Sequence, residues 1–358
     1  MIIFYLDIPI VQMINIIYSF DKSGFEAEYW SREIGNHSNS NFKFIPFNTD
    51  EFIEAPKTAQ ELDELFYKED KGLIDLYDAL NKLINKHSAK ALLADNSFPY
   101  HPDFLKTIDI YKVIRLTDGP MVAYSRELAY LHAYDHALYP RIPFNKHINL
   151  PDKLEYCGLK ESNFWPLGSF DALCDRSKTS ENIFSHKRDI DVLFIGALHI
   201  DKMPMLAKIK KRLGKTFKIH GLANLKKNLY FNAMFGFPGW VTPIDFNEYV
   251  PLYQRAKIGI NIHLQEQYTL GGYRMFDLPA NGVFQISDGG EHLNDYFEVG
   301  KEIEGFSDSE DLCEKIDFYL KNEDKRNAIA LNGFKKVNNE YTIGNLLTKA
   351  GDIILLKI

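Results

Sequence analysis

Cysteine is scarce in this sequence. The 358 residues contain three, Cys157, Cys174 and Cys313. They have no metal-type spacing and cannot all pair, which excludes a disulfide scaffold and points to a reducing compartment. No uninterrupted apolar run approaches the roughly 18 residues expected of a membrane-spanning helix. The opening MIIFYLDIPIVQMINIIYSF resembles a signal segment superficially, but it lacks a basic start and a small-residue cleavage site, and Asp7 breaks its apolar run. A cytoplasmic protein is expected, with peripheral membrane contact left open. Positive charge is not in excess either: 42 Lys and Arg against 49 Asp and Glu give a formal net charge of −7. That excludes a general nucleic-acid binder, because phosphate neutralisation needs a basic surface.

Familiar catalytic patterns are missing as well. There is no G-x-G-x-x-G, H-E-x-x-H, C-x-x-C or G-x-S-x-G. Gly214-Lys215-Thr216 looks like the end of a phosphate loop, but Ile209 stands where the earlier glycine is required. Asp189-Ile190-Asp191 has a D-x-D spacing, yet it enters a strand, whereas a metal site wants the strand's exit. No bound metal is expected.

What the sequence does have is alternation of short apolar runs with helix-like segments, the pattern of α/β domains with parallel sheets. In the first half, FKFIPF (42–47), AKALLAD (89–95) and YKVIRLTD (111–118) read as strands. Leu73, Leu76, Tyr77, Leu80, Leu83 and Ile84 recur at helical spacing between the first two. The segment MVAYSRELAYLHAYD (121–135) reads as a further amphipathic helix. A polar, aperiodic stretch at 169–187 marks a linker. A second series then starts with DIDVLFIGAL (189–198), a helix closed by Gly214, the strand TFKIHG (216–221), a capping box at Asp245 and Glu248, and the strand KIGINIHL (257–264). A short helix (274–281), the strand VFQIS (283–287) and helices at 309–322 and 323–338 follow. The organisation expected is two Rossmann-like α/β domains facing a cleft. Residues 1–170 form the first, 186–340 the second, and 341–358 a tail that crosses back.

Ligands of open α/β sheets sit beyond the carboxyl ends of the strands, and four features cluster there. Gly196 ends one strand before a helix beginning near Asp201, an arrangement that offers backbone N–H groups to phosphate, with Lys202 adding charge. The loop FGFPGWVTPID (235–245) presents Trp240 to a planar ring. His263 ends a buried strand. Gly271 and Gly272 precede a helix carrying Tyr273, Arg274 and, one turn on, Asp277, a pairing suited to a diphosphate and two sugar hydroxyls. Each feature also has a plain structural reading, as a βα turn, a surface loop, a core histidine and an i,i+3 ion pair respectively.

Taken in order, DVLFIGAL, KIHG, FPGWVTPIDFNEYVPLYQRAKIGINIH, GGYRMFDLPANGVFQISD and the segment beginning DYFEVGKEIEGF cover residues 189–342. In this order they resemble the donor-binding domain of GT-B fold glycosyltransferases of the group-1-like and CgeB-like families. The resemblance implies GT-B architecture and metal-independent transfer of a sugar from a nucleoside-diphosphate sugar to a hydroxyl of a glycan, glycolipid or protein. By the same resemblance Gly196 lies on the phosphate side, the loop with Trp240 borders the base, Arg274 matches a family arginine and Asp277 binds the ribose. Together with Lys202, His220, Gly271, Gly272 and Tyr273 these are the candidate donor-side residues, with no cofactor beyond the donor. Where retaining members carry a glutamate, this chain has Thr269, and Ala197 replaces a frequent arginine. Candidate bases are Asp95 and Asp118, which end strands of the first half, and His263, with His101 and His132 behind them. Two other readings stay open: a nucleotide-sugar epimerase of the same fold, and a non-catalytic binding protein.

Overall fold

The computed structural model describes residues 13–96, 98–116, 127–139, 150–159, 161–263 and 271–358. Two wholly parallel sheets organise them. The first has the order β2-β1-β3-β4-β5-β6, from β1 (Ile14–Phe20), β2 (Phe42–Asn48), β3 (Ala91–Asp95), β4 (Tyr111–Arg115), β5 (His136–Tyr139) and β6 (Ser162–Phe164). The second runs β11-β10-β9-β7-β8, from β7 (Ile190–Ile195), β8 (Phe217–His220), β9 (Ala256–Asn261), β10 (Phe284–Ser287) and β11 (Glu304–Gly305).

The central strands are apolar on both faces because helices cover both. Leu92 and Ala94 of β3 join one core with Leu73, Leu76, Tyr77 and Leu80 of the Lys71–His87 helix. Ala91 and Leu93 face the opposite core. That helix starts where the Asp70 carboxylate accepts from the Leu73 N–H at 3.1 Å and stops at Ser88 in the left-handed region. Its apolar stripe is the one read from the sequence.

The opposite core of the first domain is completed by the end of the chain. Ile343, Leu346, Leu347, Ala350 and Ile354 of the Ile343–Leu355 helix pack with Trp30, Phe42, Phe44 and Tyr18. Gly351 faces the Phe42 ring so closely that a Cβ there would collide with it. The chain therefore passes between the domains twice, and the crossings touch: the Ser169 N–H donates to the Tyr341 carbonyl at 2.7 Å.

The structure differs from the sequence reading in several places. β1 occupies part of the stretch that looked like a signal segment, and β5 and β6 were not anticipated. In place of a helix over 121–135, the described part holds a short 3-10 turn, Leu128–Ala133, leading into β5; residues 117–126 lie outside the described residues. An unanticipated helix, Leu225–Phe235, follows β8. The capping box forms as expected, with Glu248 accepting from the Asp245 N–H at 2.9 Å. Among the described residues, no helix is long and apolar enough to cross a membrane.

Candidate functional site

A crevice of about 310 Å³ opens at the carboxyl ends of β7 and β8. Gly196 and Ala197 come from the β7 exit, Gly221 and Leu222 from the β8 exit, and Pro243, Ile244 and Tyr249 from the following loop and helix. Arg274 closes it from the start of the Arg274–Ala280 helix. The loop is fixed by backbone pairing, the Gly221 N–H donating to the Thr242 carbonyl at 3.2 Å. Asn228 also binds both N–H and C=O of Val241, at 2.8 and 3.0 Å.

Two cations meet here. The Arg274 guanidinium lies 5.2 Å from the Phe194 ring centroid and donates to Asn261 Oδ1 at 3.3 Å. Gly196 makes room for it, since a Cβ at 196 would fall on its Nη2. Lys202 is buried and donates to the Ile262 carbonyl at 2.6 Å. Burial, then the charge of Arg274, lowers the Lys202 ammonium to about 8. Burial likewise lowers the Arg274 guanidinium. Among the described residues neither cation has a carboxylate partner within ion-pair distance. Asp288 acts against this lowering on both, and a further anion at the crevice would stabilise both cations.

Behind them lies a buried acid–base pair. The His263 N–H donates to Asp288 Oδ1 at 3.0 Å, and the ring Nδ1 stands 2.7 Å from the same oxygen. The carboxylate only accepts, so Nδ1 carries a proton, and Nε2 stands 3.4 Å from Asn261 Nδ2. Asn261 thus touches both Arg274 and His263. Asn261 and Asp288 were missed in the sequence, where "SDGG" reads as a turn. Their position at strand exits is the signal that could have found them.

Other expected residues lie elsewhere. Trp240 is 57% exposed and does not line the crevice; Pro243 and Ile244 of its loop do. Asp277 is buried and turned to the linker, where it accepts from the Phe170 N–H at 3.0 Å. Burial raises its carboxyl to about 8, against the opposing pull of the Phe170 N–H, Arg274 and Arg176. His220 Nδ1 stands 3.4 Å from Thr242 Oγ1, and burial lowers its pKa. Gly271 has φ +96°, a turn only glycine makes readily, and the Gly272 carbonyl accepts from the Met275 N–H at 2.9 Å. Tyr273 points to a second crevice that it shares with Lys22, Glu26, Trp30, Phe170 and Phe246, which places the β1 exit opposite the second domain.

On the first domain, Asp95 is engaged. Arg115 Nη1 donates to its two oxygens at 2.8 and 3.0 Å, and the Tyr18 hydroxyl donates at 3.1 Å. Arg115 is fully buried, 4.6 Å from the Trp165 ring centroid. This pair builds the floor of the first domain rather than presenting a free base. His101 is buried, stacked on Phe66 at 3.8 Å, and accepts from the Asp103 N–H at 3.2 Å, which makes it a helix cap. His132 precedes β5, at the amino side of the sheet, and is exposed. Asp118 and Thr269 lie outside the described residues.

Two parallel sheets, a double crossing and a terminal helix returning to the first domain define the architecture. Sucrose-phosphate synthase from Thermosynechococcus elongatus shares it with a TM-score of 0.62 at 11% identity, over 95% of this chain and 98% of that one. The fold is GT-B. Anabaena HepE, solved in complex with UDP, superposes on this GT-B chain with a TM-score of 0.57 at 9% identity, over 95% and 99% of the two chains. A putative UDP-N-acetylglucosamine 2-epimerase from Listeria monocytogenes gives 0.54 at 12% identity, over 94% and 95%. In sequence, residues 202–350 match the family model described as glycosyl transferase-like. No curated protein sequence matches the chain.

Proposed function

We propose that this protein is a glycosyltransferase using a nucleoside-diphosphate sugar. The observation that carries the proposal is Arg274 closing the crevice at the β7 exit, with Lys202 nearby and neither cation within ion-pair distance of a carboxylate among the described residues. A diphosphate would lie on these two cations and on the Gly196 backbone. The nucleoside would extend along Leu222, Pro243, Ile244 and Tyr249, in place of Trp240. HepE binds UDP in the same fold, which supports a uridine donor. The leaving diphosphate gains charge as the glycosidic bond breaks, and two preorganised cations stabilise it there without a metal ion. The acceptor hydroxyl, on a glycan, glycolipid or protein, would approach from the first domain.

His263, oriented by Asp288 at the exit of β9, is the proposed proton-handling group. The same pair gives the epimerase reading its one specific support. An epimerase forms product from the donor alone, whereas a transferase requires an acceptor.

Calorimetric titration of UDP into the native chain and into Arg274→Ala tests the proposal. Losing one charge-assisted contact of about 1.5–3 kcal/mol weakens binding roughly ten- to a hundredfold. Absence of binding by the native chain to any nucleoside diphosphate would overturn it.

A further inference from the structure

Between Asp201 and Asp245 the chain has eight lysines, one arginine and no acidic residue, in a protein whose formal net charge is −7. The same segment carries a concentration of exposed large apolar residues among the described residues. Leu225, Leu229, Tyr230 and Met234 all point outward from the Leu225–Phe235 helix, and Leu222 and Trp240 flank it, 81% and 57% exposed. The helix is inverted relative to an ordinary surface helix. Its inner face is narrow and partly polar, with Asn228 and Phe231 buried and Asn232 donating to the Gly239 carbonyl at 3.0 Å. Apolar side chains face water instead, at a cost that a partner would relieve.

The charges identify the partner. Lys208 and Arg212 are neutralised by Glu310 and Asp317. Lys211, Lys215, Lys218, Lys226 and Lys227 have no carboxylate within ion-pair distance among the described residues, and they come from the Leu225–Phe235 helix, from edge strand β8, from the turn before it and from the end of the Met203–Leu213 helix. Apolar residues with an indole at their edge, fringed by lysines and free of acids, match a bilayer interface with anionic headgroups. An acidic protein groove would need matching donors and acceptors, and the outward face of this helix offers mainly alkyl and aromatic groups. We infer that the Leu225–Phe235 helix and the Trp240 loop dock the second domain on an anionic membrane surface. The helix lies in the interface plane, its leucines and methionine among the acyl-chain ends and its lysines at the phosphates.

Tryptophan emission gives a direct readout. Of the three tryptophans, Trp30 and Trp165 are buried and Trp240 is exposed. The full chain is mixed with vesicles of phosphatidylcholine and phosphatidylglycerol, or of phosphatidylcholine alone. Expected are a blue shift and co-sedimentation with the mixed vesicles, at least about tenfold tighter than with the neutral ones and weakened by salt. Trp240→Phe removes the shift while leaving sedimentation. Leu229→Ser with Met234→Ser, and separately Lys215→Glu with Lys226→Glu, each reduce sedimentation about tenfold. These positions are exposed, so an unchanged circular dichroism melt confirms that the fold is kept. Failure of the native chain to sediment with mixed vesicles, or native-level sedimentation by both double variants, overturns the inference. So does a native dimer abolished by Leu229→Ser with Met234→Ser in the absence of vesicle binding, which would give this face to a second copy. None of these readouts depends on nucleotide binding.

Discussion

Arg274 rests on Gly196, its guanidinium occupying the space that a side chain at 196 would fill. The relationship couples the helix after β9 to the exit of β7, and each residue explains the other. Gly196→Ala should therefore displace the guanidinium and weaken UDP binding by about tenfold, with a stability loss of about 1–3 kcal/mol from overpacking. Calorimetry together with a thermal melt separates the two effects. Native-like affinity in a folded Gly196→Ala protein would count against a role for Arg274 in the donor site.

Lys202 gives the donor site a pH signature. Its ammonium sits at about 8 in the free protein, and a bound diphosphate raises it by supplying the missing counter-charge. Below that value the lysine is already charged and affinity is flat. Above it, binding takes up a proton, so affinity falls by up to about tenfold per pH unit. Titrations in buffers of different ionisation enthalpy should reveal that proton. In Lys202→Met the uptake disappears.

Asp277 should set a stability trend of the opposite kind. Its folded-state value of about 8 lies above the ordinary carboxyl value of 3.8. Between these values the unfolded chain has released a proton that the folded chain retains, so stability declines as pH rises across this window and levels off above it. Asp277→Asn keeps an acceptor for the Phe170 N–H and removes the titration. Its melting temperature should exceed the native value, with a gap that grows from about pH 5 to about pH 8. A parallel pH dependence in the two proteins would contradict this.

His263→Ala should lower turnover by about a hundredfold or more while leaving UDP affinity near native, as expected for a proton-handling group. Asp288→Asn should shift the pH profile of turnover, because it exchanges the carboxylate that orients the ring. Steady-state kinetics over a pH series checks both. A loss confined to nucleotide affinity would make the pair structural.

The second domain was the more legible half. Its strands alternate with capped helices, and Gly196, Lys202 and Arg274 stand at strand exits that the pattern locates. The Leu225–Phe235 helix escaped because its apolar residues face outward, so no core-facing stripe announces it. β6 escaped because three residues at a sheet edge carry no pattern. Asp95 was legible as a strand-end carboxylate, but its partner Arg115 comes from the adjacent strand, and pairing across strands is not written in either segment alone. Trp240 was chosen for its ring; the side chain is turned outward, and the backbone pairing of Thr242 with Gly221 brings Pro243 and Ile244 to the crevice.

The helix that completes the first domain is synthesised after the whole second domain. During translation the core that holds Trp30, Phe42 and Phe44 lacks part of its cover until Ile343–Leu355 has been made. A fragment ending at the linker would carry an open apolar face, and a chain shortened by its final helix would lose stability in the half farthest from the cut in sequence. The first domain is therefore finished after the second, although its strands precede it.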